Sequence, residues 1–455
     1  AAMSEKQNWS GRVAFFLATV GSAVGLGSIW KFPYMVGENG GAAFLLLYAV
    51  GLVLAVLPLM IAEFVVGRAG GGSAVGSIVA VARKTGASRV WGLIGAWGVA
   101  AGVLILSFYA VFGGWTIGYA VDALGGGAVA ADGAAAGAQF GAFLADPTRL
   151  IWLHAAFMGI TALVVIGGVS GGLERALTFL MPVMFVILIG LVIFAAMSGG
   201  MGAAIAFLFT PDFSKVTWDV ALAAIGLGFF SIGVGIGVMI TYAAYAGRDV
   251  GLGKMAIATI VADTVASLLA GLAIFPIVFA HGLDPAGGPG LMFVTLPVGF
   301  GQIDGGNWVA FAFFTLLLVS ALASAISIME LVVAWVVERF RAPRMVATLV
   351  VAGGCFALGL ATVWSFNDWA EFKPFAAFGI LADKSWFDGI DWITSNLMLP
   401  VGGIALALFL GWTAAGKVLD DEIGGNGTGL AVLRWLLRLV VPVLIGWVLV
   451  AGVVG

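Results

Sequence analysis

Long runs of apolar residues, separated by clusters of glycine, proline and charged residues, dominate this chain. A bilayer core about 30 Å thick needs about 20 apolar residues in a helix. Eleven runs approach that length, near 12–37, 41–68, 89–124, 150–167, 174–197, 217–246, 254–281, 308–340, 344–363, 389–412 and 430–453. Because the runs show no sustained alternation of apolar and polar residues, the pattern predicts an all-α polytopic membrane protein with 11 transmembrane helices.

The composition agrees with a membrane protein and argues against other classes. Of 455 residues, 62% are hydrophobic and 9% are charged, whereas a soluble domain carries about 25% charged residues. The single Cys355 argues against a disulfide or zinc-finger scaffold. A net charge of −3 gives no basic field for nucleic acid. Since no nucleophile–base or metal constellation is visible, we expect no enzyme and no catalytic residues.

Basic residues are distributed unevenly between the loops on the two sides of the predicted bundle. With the N-terminus inside, fifteen lysines and arginines lie in the inner loops and four lie in the outer loops, Arg149, Lys215, Lys373 and Lys384. Basic residues concentrate on the cytoplasmic side of membrane proteins. The pattern therefore predicts a multi-pass protein of the plasma membrane or cell inner membrane, with a cytoplasmic N-terminus and an extracytoplasmic C-terminus.

Two predicted spans carry glycine clusters at their centres, residues 21–28 in the first and 226–237 in the sixth. Each interior glycine costs about 1 kcal/mol of helix propensity relative to alanine. Either cluster alone is compatible with close packing of small residues between helices. Together, in corresponding spans of two five-helix sets, they are typical of an inverted-repeat transporter that binds its ligands at helix breaks.

This interpretation divides one transporter domain, 1–455, into two inverted repeats and an accessory helix. The predicted bounds are 12–197 for the first repeat, 217–412 for the second and 430–453 for the accessory eleventh helix. Unwound backbone offers carbonyl oxygens to a cation, and half-helix N-termini offer N–H groups to an anion. A zwitterion together with sodium suits this geometry.

Several motifs around the predicted breaks resemble the neurotransmitter:sodium symporter family, in particular its bacterial amino acid transporter branch with the leucine-transporter fold. These motifs are Trp9-Ser10-Gly11-Arg12, Gly21 to Gly27, Lys31-Phe32-Pro33-Tyr34, Gly37 to Gly41, Pro58-Leu59-Met60 with Glu63, Gly67-Arg68 and Ile240 to Tyr245. The resemblance covers about residues 8 to 412. It implies a sodium-coupled symporter that imports neutral amino acids by alternating access, with spans 1, 2, 6 and 7 rocking against the rest. We expect the amino acid and the lipid bilayer as partners, and no obligate protein partner.

The resemblance implies a substrate site between the two breaks. The substrate carboxylate would meet Tyr109 and the N–H groups of Leu26 and Gly27. Its amino group would meet the carbonyls of Ala23, Phe230 and Ser231. The substrate side chain would lie among Ile105, Tyr109, Phe230, Gly233, Ile236, Ser324 and Ile328. Gly25 stands where monoamine carriers have an acidic residue, and the pocket is apolar, so we expect neutral, hydrophobic or aromatic amino acids.

The resemblance also implies one or two sodium ions. The first sodium site would use the carbonyl of Ala23 and the side chains of Ser28, Ser231 and Asp263. The second would use the carbonyls of Gly21, Val24 and Ser320 and the hydroxyl of Ser324. Ala323 stands where the family has an oxygen ligand, so the second site is expected to be weak, completed by water or lost.

Asp263 is notable apart from the resemblance, because a carboxylate at mid-membrane depth is costly and usually functional. The alternative is a protonated acid that is hydrogen-bonded to a neighbouring helix. Chloride-dependent relatives surround the anion with hydroxyl and amide groups. This chain has Tyr48, Ser231 and Ser267, but Leu227 and Asp263 replace the two amides. We therefore predict no requirement for chloride.

The resemblance implies gates on both sides of the site. The outer gate would pair Lys31 with Asp391 above the aromatic lid of Tyr109 and Phe230, although Lys31 could instead simply extend to the membrane interface. The inner gate would pair Lys6 with Glu338, supported by Trp9 and Tyr245.

Glu63 and Glu330 are placed near one another by the same resemblance, beside the sixth span. Because two buried carboxylates rarely both ionise, one is expected to carry a proton. We interpret both as scaffolding for the unwound backbone.

Two other functions remain open from the sequence. One is an amino acid transporter that is coupled to protons, with Asp263 as the titrating group. The other is a non-transporting amino acid sensor, which the replacements at Ala323 and Ser28 would favour.

Overall fold

The structure, a computed structural model, describes residues 8–414, 417–424 and 427–454. Throughout these residues the regular secondary structure is helical, and they form no strand. Nine helical segments among them are long and apolar enough to cross a membrane. They are α3 (Ala42–Gly70), α5 (Arg89–Leu124), α7 (Pro147–Ile166), α8 (Val169–Ala196), α12 (Leu252–Ala280), α14 (Gly306–Phe340), α15 (Arg344–Ser365), α16 (Trp386–Thr413) and α18 (Thr428–Val453).

Two further predicted spans are interrupted. Helices α1 (Arg12–Ala23) and α2 (Gly27–Glu38) are long and apolar enough to cross a membrane only when taken together, and they are bent by 52° at the break. The predicted sixth span, 217–246, consists of α10 (Trp218–Ile232) and α11 (Val238–Ala244), of 15 and 7 residues. Neither of these two helices is long enough to cross a membrane by itself, so the number of eleven transmembrane helices stays a prediction. The two interruptions, however, lie where the glycine clusters indicate.

Shorter helices connect the spans. They are α4 (Ala74–Thr85), α6 (Gly133–Leu144), α9 (Met201–Phe209), α13 (Thr295–Gly301) and α17 (Lys417–Ile423). Side chains cap several of them: Ser73 accepts the N–H of Gly76 at the start of α4, and Asp132 accepts the N–H of Ala135 at the start of α6. Such caps satisfy N–H groups that have no partner inside the helix.

The interrupted helices lie inside the bundle against α14, the most buried of the long helices, which packs along α5. Helix α3 packs closely on α11, since a Cβ atom added to Gly67 would overlap the carbonyl group of Ile240. Both breaks are therefore enclosed by packed helices. This keeps their exposed backbone groups away from lipid, which cannot form hydrogen bonds with them.

The two breaks differ in backbone conformation. In the first, Gly25 donates its N–H to the Ala23 carbonyl over 3.0 Å, and no residue from Val24 to Leu26 has a positive φ. In the second, Gly233, Gly235 and Gly237 have φ of 69°, 96° and 90°. Residues with a Cβ atom are disfavoured in that left-handed region, so the second break needs its glycines.

Candidate transport site

Three oxygen-bearing groups converge on the hydroxyl of Ser28, just after the first break. Ser28 Oγ lies 2.5 Å from Asp263 Oδ1, 2.9 Å from Ser231 Oγ and 3.4 Å from the carbonyl oxygen of Ala23. All four residues are buried, and Asp263 has no exposed surface. The structure thus brings together every residue that we predict for the first sodium site.

The surroundings of Asp263 favour a cation. Its other oxygen is 3.5 Å from the Tyr48 hydroxyl. Among the described residues, no lysine, arginine or histidine nitrogen lies within 4.0 Å of its carboxylate. A buried charge is costly unless it is paired or coordinates a metal. A cage of one carboxylate, two hydroxyls and one carbonyl offers hard oxygen ligands, which suit an alkali cation.

The predicted second sodium site is less complete. Ser324 Oγ is 3.4 Å from the carbonyl oxygen of Gly21, another of the predicted ligands, and 3.2 Å from that of Ser22. Ser320 directs its hydroxyl at the Leu317 carbonyl of its own helix over 3.1 Å. Ala323 is fully buried and brings no oxygen. Of the predicted ligands, the hydrogen bonds therefore join only Ser324 and Gly21, and Ser22 is a contact that the sequence did not indicate.

The groups predicted to hold a substrate carboxylate also meet at the first break. The N–H of Leu26 points to the Tyr109 hydroxyl oxygen at 3.1 Å. A Cβ atom added to Gly25 would lie 2.9 Å from the same hydroxyl and would overlap Ser324 Oγ. A Cβ atom on Gly27 would lie 2.7 Å from Ser231 Cα. Larger residues would fill the space between the two breaks, so these glycines keep backbone N–H groups accessible there.

The space beside the sixth span is different. A Cβ atom added to Gly233 would meet nothing within 4 Å. The predicted apolar lining residues Ile105, Ile236 and Ile328 are all buried, and Phe230 is half-buried. An apolar side chain therefore has room next to Gly233.

A cavity of about 370 Å³ opens beyond Tyr109 and Phe230, on the side of Lys31 and Asp391. Its lining is mainly aromatic and includes Leu26, Trp30, Tyr34, Phe108, Phe112, Trp115, Phe293, Phe366 and Phe387. Of the predicted substrate-binding residues, only Leu26, Tyr109 and Phe230 line it. Ala23, Gly25, Gly27, Ile105, Ser231, Gly233, Ile236, Ser324 and Ile328 lie outside this lining.

The two residues of the predicted outer gate face the same cavity without forming an ion pair. The Lys31 ammonium lies 3.8 Å from the centre of the Phe230 ring, a favourable cation–π geometry. Asp391 Oδ1 instead accepts the Ser395 hydroxyl over 3.1 Å. No Lys31–Asp391 contact within 4.0 Å is present in this conformation of the described residues.

At the opposite end of the site, Trp9 binds the segment before α1 to the end of α11. Its indole N–H donates to the Tyr242 carbonyl over 2.8 Å, and its backbone N–H donates to that of Tyr245 over 3.0 Å. Glu338 accepts the N–H of Ser73 at 2.5 Å. Lys6, its predicted gate partner, lies outside the described residues, so that pair stays a prediction.

Glu63 supports the second break. One carboxylate oxygen accepts the N–H of Gly235 over 2.6 Å and the other accepts that of Met239 over 3.1 Å. This agrees with the scaffolding role that we predict for Glu63.

Glu330 has a partner that the sequence analysis did not foresee. Both of its oxygens bind the Arg344 guanidinium, and Oε1 also accepts the Tyr245 hydroxyl over 2.9 Å. The two carboxylates thus have separate partners among the described residues, and a proton on one of them stays a prediction. Arg344 supplies the counter-charge, and its position at the start of α15 gave no signal of this because it reads as an inner-loop residue.

The sequence profile of the sodium:neurotransmitter symporter family matches residues 6–127 and 142–376. The chain belongs to this family. As a sodium:neurotransmitter symporter it is a multi-pass membrane protein that couples the transport of a small molecule to sodium, and not an enzyme.

Relatives of this symporter cover nearly its whole length. It is 33% identical over 449 residues to the uncharacterised sodium-dependent transporter YhdH of Bacillus subtilis (strain 168), covering 97% of each chain. It is 31% identical over 430 residues to an uncharacterised sodium-dependent transporter of Haemophilus influenzae, covering 92% of this chain and 90% of that one.

The symporter also resembles a solved structure, that of MhsT in complex with L-phenylalanine. The TM-score is 0.88 at 39% identity, and the match covers 98% of this chain and 99% of MhsT. This similarity confirms the predicted all-α leucine-transporter fold.

Proposed function

We propose that this symporter imports neutral, hydrophobic or aromatic amino acids together with sodium, by alternating access and without chloride. The observation that carries the proposal is the buried oxygen cluster of Ser28, Ser231, Asp263 and Ala23, which lies between the breaks with no basic residue of the described chain beside it. A bound sodium ion would supply the missing positive charge. Ser28 follows the first break and Ser231 precedes the second, so such an ion would hold the two interrupted spans together.

The amino acid would bind beside this ion. Backbone N–H groups at Leu26 and Gly27 and the Tyr109 hydroxyl suit a carboxylate, while Ala23, Phe230 and Ser231 offer carbonyls to the amino group. The open space at Gly233 and the buried isoleucines suit an apolar side chain. The L-phenylalanine bound to MhsT is consistent with this choice.

Chloride independence follows from the charge of Asp263. The residues that chloride-dependent relatives use are partly present, since Tyr48 contacts Asp263 and Ser267 is buried nearby in the same helix. An ionised Asp263 would repel a chloride ion and supply the same negative charge itself. Leu227 also removes one amide donor.

We propose the domain bounds, membrane orientation, gates and second sodium site that the sequence predicts. One domain, 1–455, would contain inverted repeats at 12–197 and 217–412 and an accessory helix at 430–453. The N-terminus would be cytoplasmic and the C-terminus extracytoplasmic. Lys31 with Asp391 and Lys6 with Glu338 would serve as outer and inner gates, supported by Trp9 and Tyr245. Gly21, Val24, Ser320 and Ser324 would form a weak second sodium site.

Purified protein in liposomes tests the proposal. Concentrative uptake of phenylalanine with an imposed inward sodium gradient, unchanged when chloride is replaced by gluconate, is the expected result. Uptake with an inward proton gradient alone would instead favour proton coupling through Asp263. Binding without uptake under either gradient would favour a sensor. A thermal-shift screen of amino acids with and without sodium identifies the ligand, because stabilisation grows with occupancy.

A further inference from the structure

A buried arginine at the end of α3 holds three segments of the chain together. Arg68 Nε donates to Glu422 Oε2 over 2.6 Å, and its Nη2 donates to the main-chain carbonyl of Glu422 over 2.6 Å. Nη1 donates to the carbonyl of Val250. The side chains of Arg68 and Glu422 are 7% and 4% exposed. All three guanidinium nitrogens are thus used in a desolvated contact.

Glu422 belongs to α17, in the connection between the last two spans. Its Oε1 also accepts a hydrogen bond from Arg248 over 3.1 Å, and Arg248 is largely exposed. The buried Val418 and Leu419 belong to the same helix, which packs on α3, α4 and α12. We call Arg68, Arg248 and Glu422 the inner latch, because they lie on the same side of the molecule as Trp9, Tyr245 and the loop at 246–251.

The inner latch spans two parts of the molecule that transport would separate. Gly67 allows α3 to lie directly against the backbone of Ile240 in α11, so these helices form one closely packed unit. Val250 lies in the loop that leads from α11 into α12. Glu422, by contrast, lies between α16 and α18, which are not among spans 1, 2, 6 and 7.

We propose that Glu422 is a positioning residue of the transport cycle, which holds the inner side closed by pinning α3 and the loop after α11 to α17. This inference rests on the proposed alternating-access cycle. When the inner side opens, the unit of α3 and α11 moves away from α17 and the bonds to Glu422 break. Removing one member of a buried charge pair leaves the other without compensation, so neutralising Glu422 weakens the closed state in particular.

A cysteine that is buried only while the inner side is closed measures this effect. Thr241 in α11 is fully buried and close in size to cysteine. We would introduce Thr241→Cys in a Cys355→Ala background and measure its alkylation by a polar maleimide in nanodiscs, in sodium. Glu422→Gln is expected to raise the alkylation rate roughly tenfold, the effect of about 1.4 kcal/mol on an equilibrium.

Asp420→Asn is the matched control, because Asp420 lies in the same helix and pairs with Arg434 at 2.5 Å, with both side chains partly exposed. It should leave the rate close to that of the parent protein, since ion pairs between partly exposed side chains contribute little. If Glu422→Gln lowers the melting temperature but leaves the alkylation rate at that of Asp420→Asn, Glu422 is merely structural and the proposal is wrong.

A second variant keeps the test decisive if Glu422→Gln does not fold. Arg248→Gln leaves the Arg68–Glu422 contact in place but removes one of the two charged partners of the buried Glu422 carboxylate, so a smaller rise, about threefold, is expected. An unchanged rate in that variant would overturn the latch. Failure of the proposed transport cycle looks different: the parent protein with the Thr241→Cys substitution would itself show no change in alkylation on addition of sodium and phenylalanine.

Discussion

The two helix breaks at the centre of this symporter are built by different means. The break at Val24–Leu26 contains one glycine, has no left-handed residue, and is bordered by the hydroxyls of Tyr109, Ser324 and Ser28. The break at Gly233–Gly237 has three left-handed glycines, and the Glu63 carboxylate accepts the N–H of Gly235 within it and that of Met239 just after it. One break therefore depends on side chains around it, and the other is encoded in its own backbone.

This difference assigns different tasks to the breaks. The hydroxyls that border the first break are also groups that we propose to bind sodium and the amino acid. Binding should therefore replace some of their hydrogen bonds to the backbone of this break. Glu63 is not among the groups that we propose to bind a ligand, so we expect it to accept hydrogen bonds from the second break in every state. We expect the first break to change with occupancy and the second to remain a fixed frame.

The largest effect should come from a side chain in the fixed break. Gly235→Ala places a Cβ atom 2.8 Å from the Leu399 carbonyl oxygen at a φ of 96°. A left-handed alanine alone costs about 1–2 kcal/mol, and the backbone contact adds to it, so transport should be lost and the melting temperature should fall markedly.

Gly233→Ala is the control for that variant. Its φ of 69° carries a similar conformational cost, but its Cβ atom meets nothing within 4 Å. Thermal unfolding in detergent should therefore show a clearly smaller loss. Equal losses in the two variants would mean that conformational strain alone, and not the close approach to Leu399, fixes the second break.

Asp263→Asn should have the next largest effect, because it removes the charge from the cluster around Ser28. Hydrogen bonds to charged groups contribute about 1.5–3 kcal/mol, which corresponds to a loss of sodium affinity of roughly tenfold to a hundredfold. Chloride should then begin to support uptake, as measured by the sodium and chloride dependence of phenylalanine transport in liposomes.

The exposed carboxylate of Asp219, at the start of α10, provides the control. Asp219→Asn should leave both ion dependences as they are. If Asp263→Asn kept the sodium dependence of the parent and acquired no chloride requirement, both proposed roles of Asp263 would be wrong.

Gly25→Ala tests the adaptable break. The added Cβ atom would meet the Ser324 and Tyr109 hydroxyls, which are side-chain ends, and Gly25 does not have a positive φ. We expect substrate affinity to fall about tenfold, since a backbone N–H next to the carboxylate is obstructed at a cost near 1.4 kcal/mol. Stability should change much less than in Gly235→Ala. Calorimetry would measure the affinity and thermal unfolding the stability. If Gly25→Ala lowered the melting temperature as much as Gly235→Ala, the two breaks would be equally rigid.

The smallest effect should come from Ala323→Ser, which restores a hydroxyl to the predicted second sodium site. One added neutral ligand is worth about 0.5–1.5 kcal/mol, so the sodium concentration for half-maximal uptake should fall a few-fold. Ala321→Ser, two residues away in α14 and equally buried, should not improve sodium use. A similar gain in both variants would argue against a sodium ion beside Ser324.

Much of this arrangement is predictable from the chain because it is local or chemically costly. The glycine clusters at 21–28 and 226–237 mark both breaks, and Asp263 is conspicuous within an apolar run. Other contacts follow from how separate helices pack, which no local pattern reports. Arg344 reads as a loop residue but pairs with buried Glu330, and Lys31 lies on Phe230 where the resemblance implied an ion pair with Asp391.

The position of Lys31 affects how the outer mouth should respond to the medium. Dissolved ions screen the attraction between two opposite charges at a wet surface. The Lys31 nitrogen lies 3.8 Å from the centre of the Phe230 ring, and this contact does not involve a second charged group. While Lys31 rests on Phe230, ionic strength should therefore have little effect on its position, whereas closure of the outer gate by the proposed Lys31–Asp391 pair should weaken as the salt concentration rises.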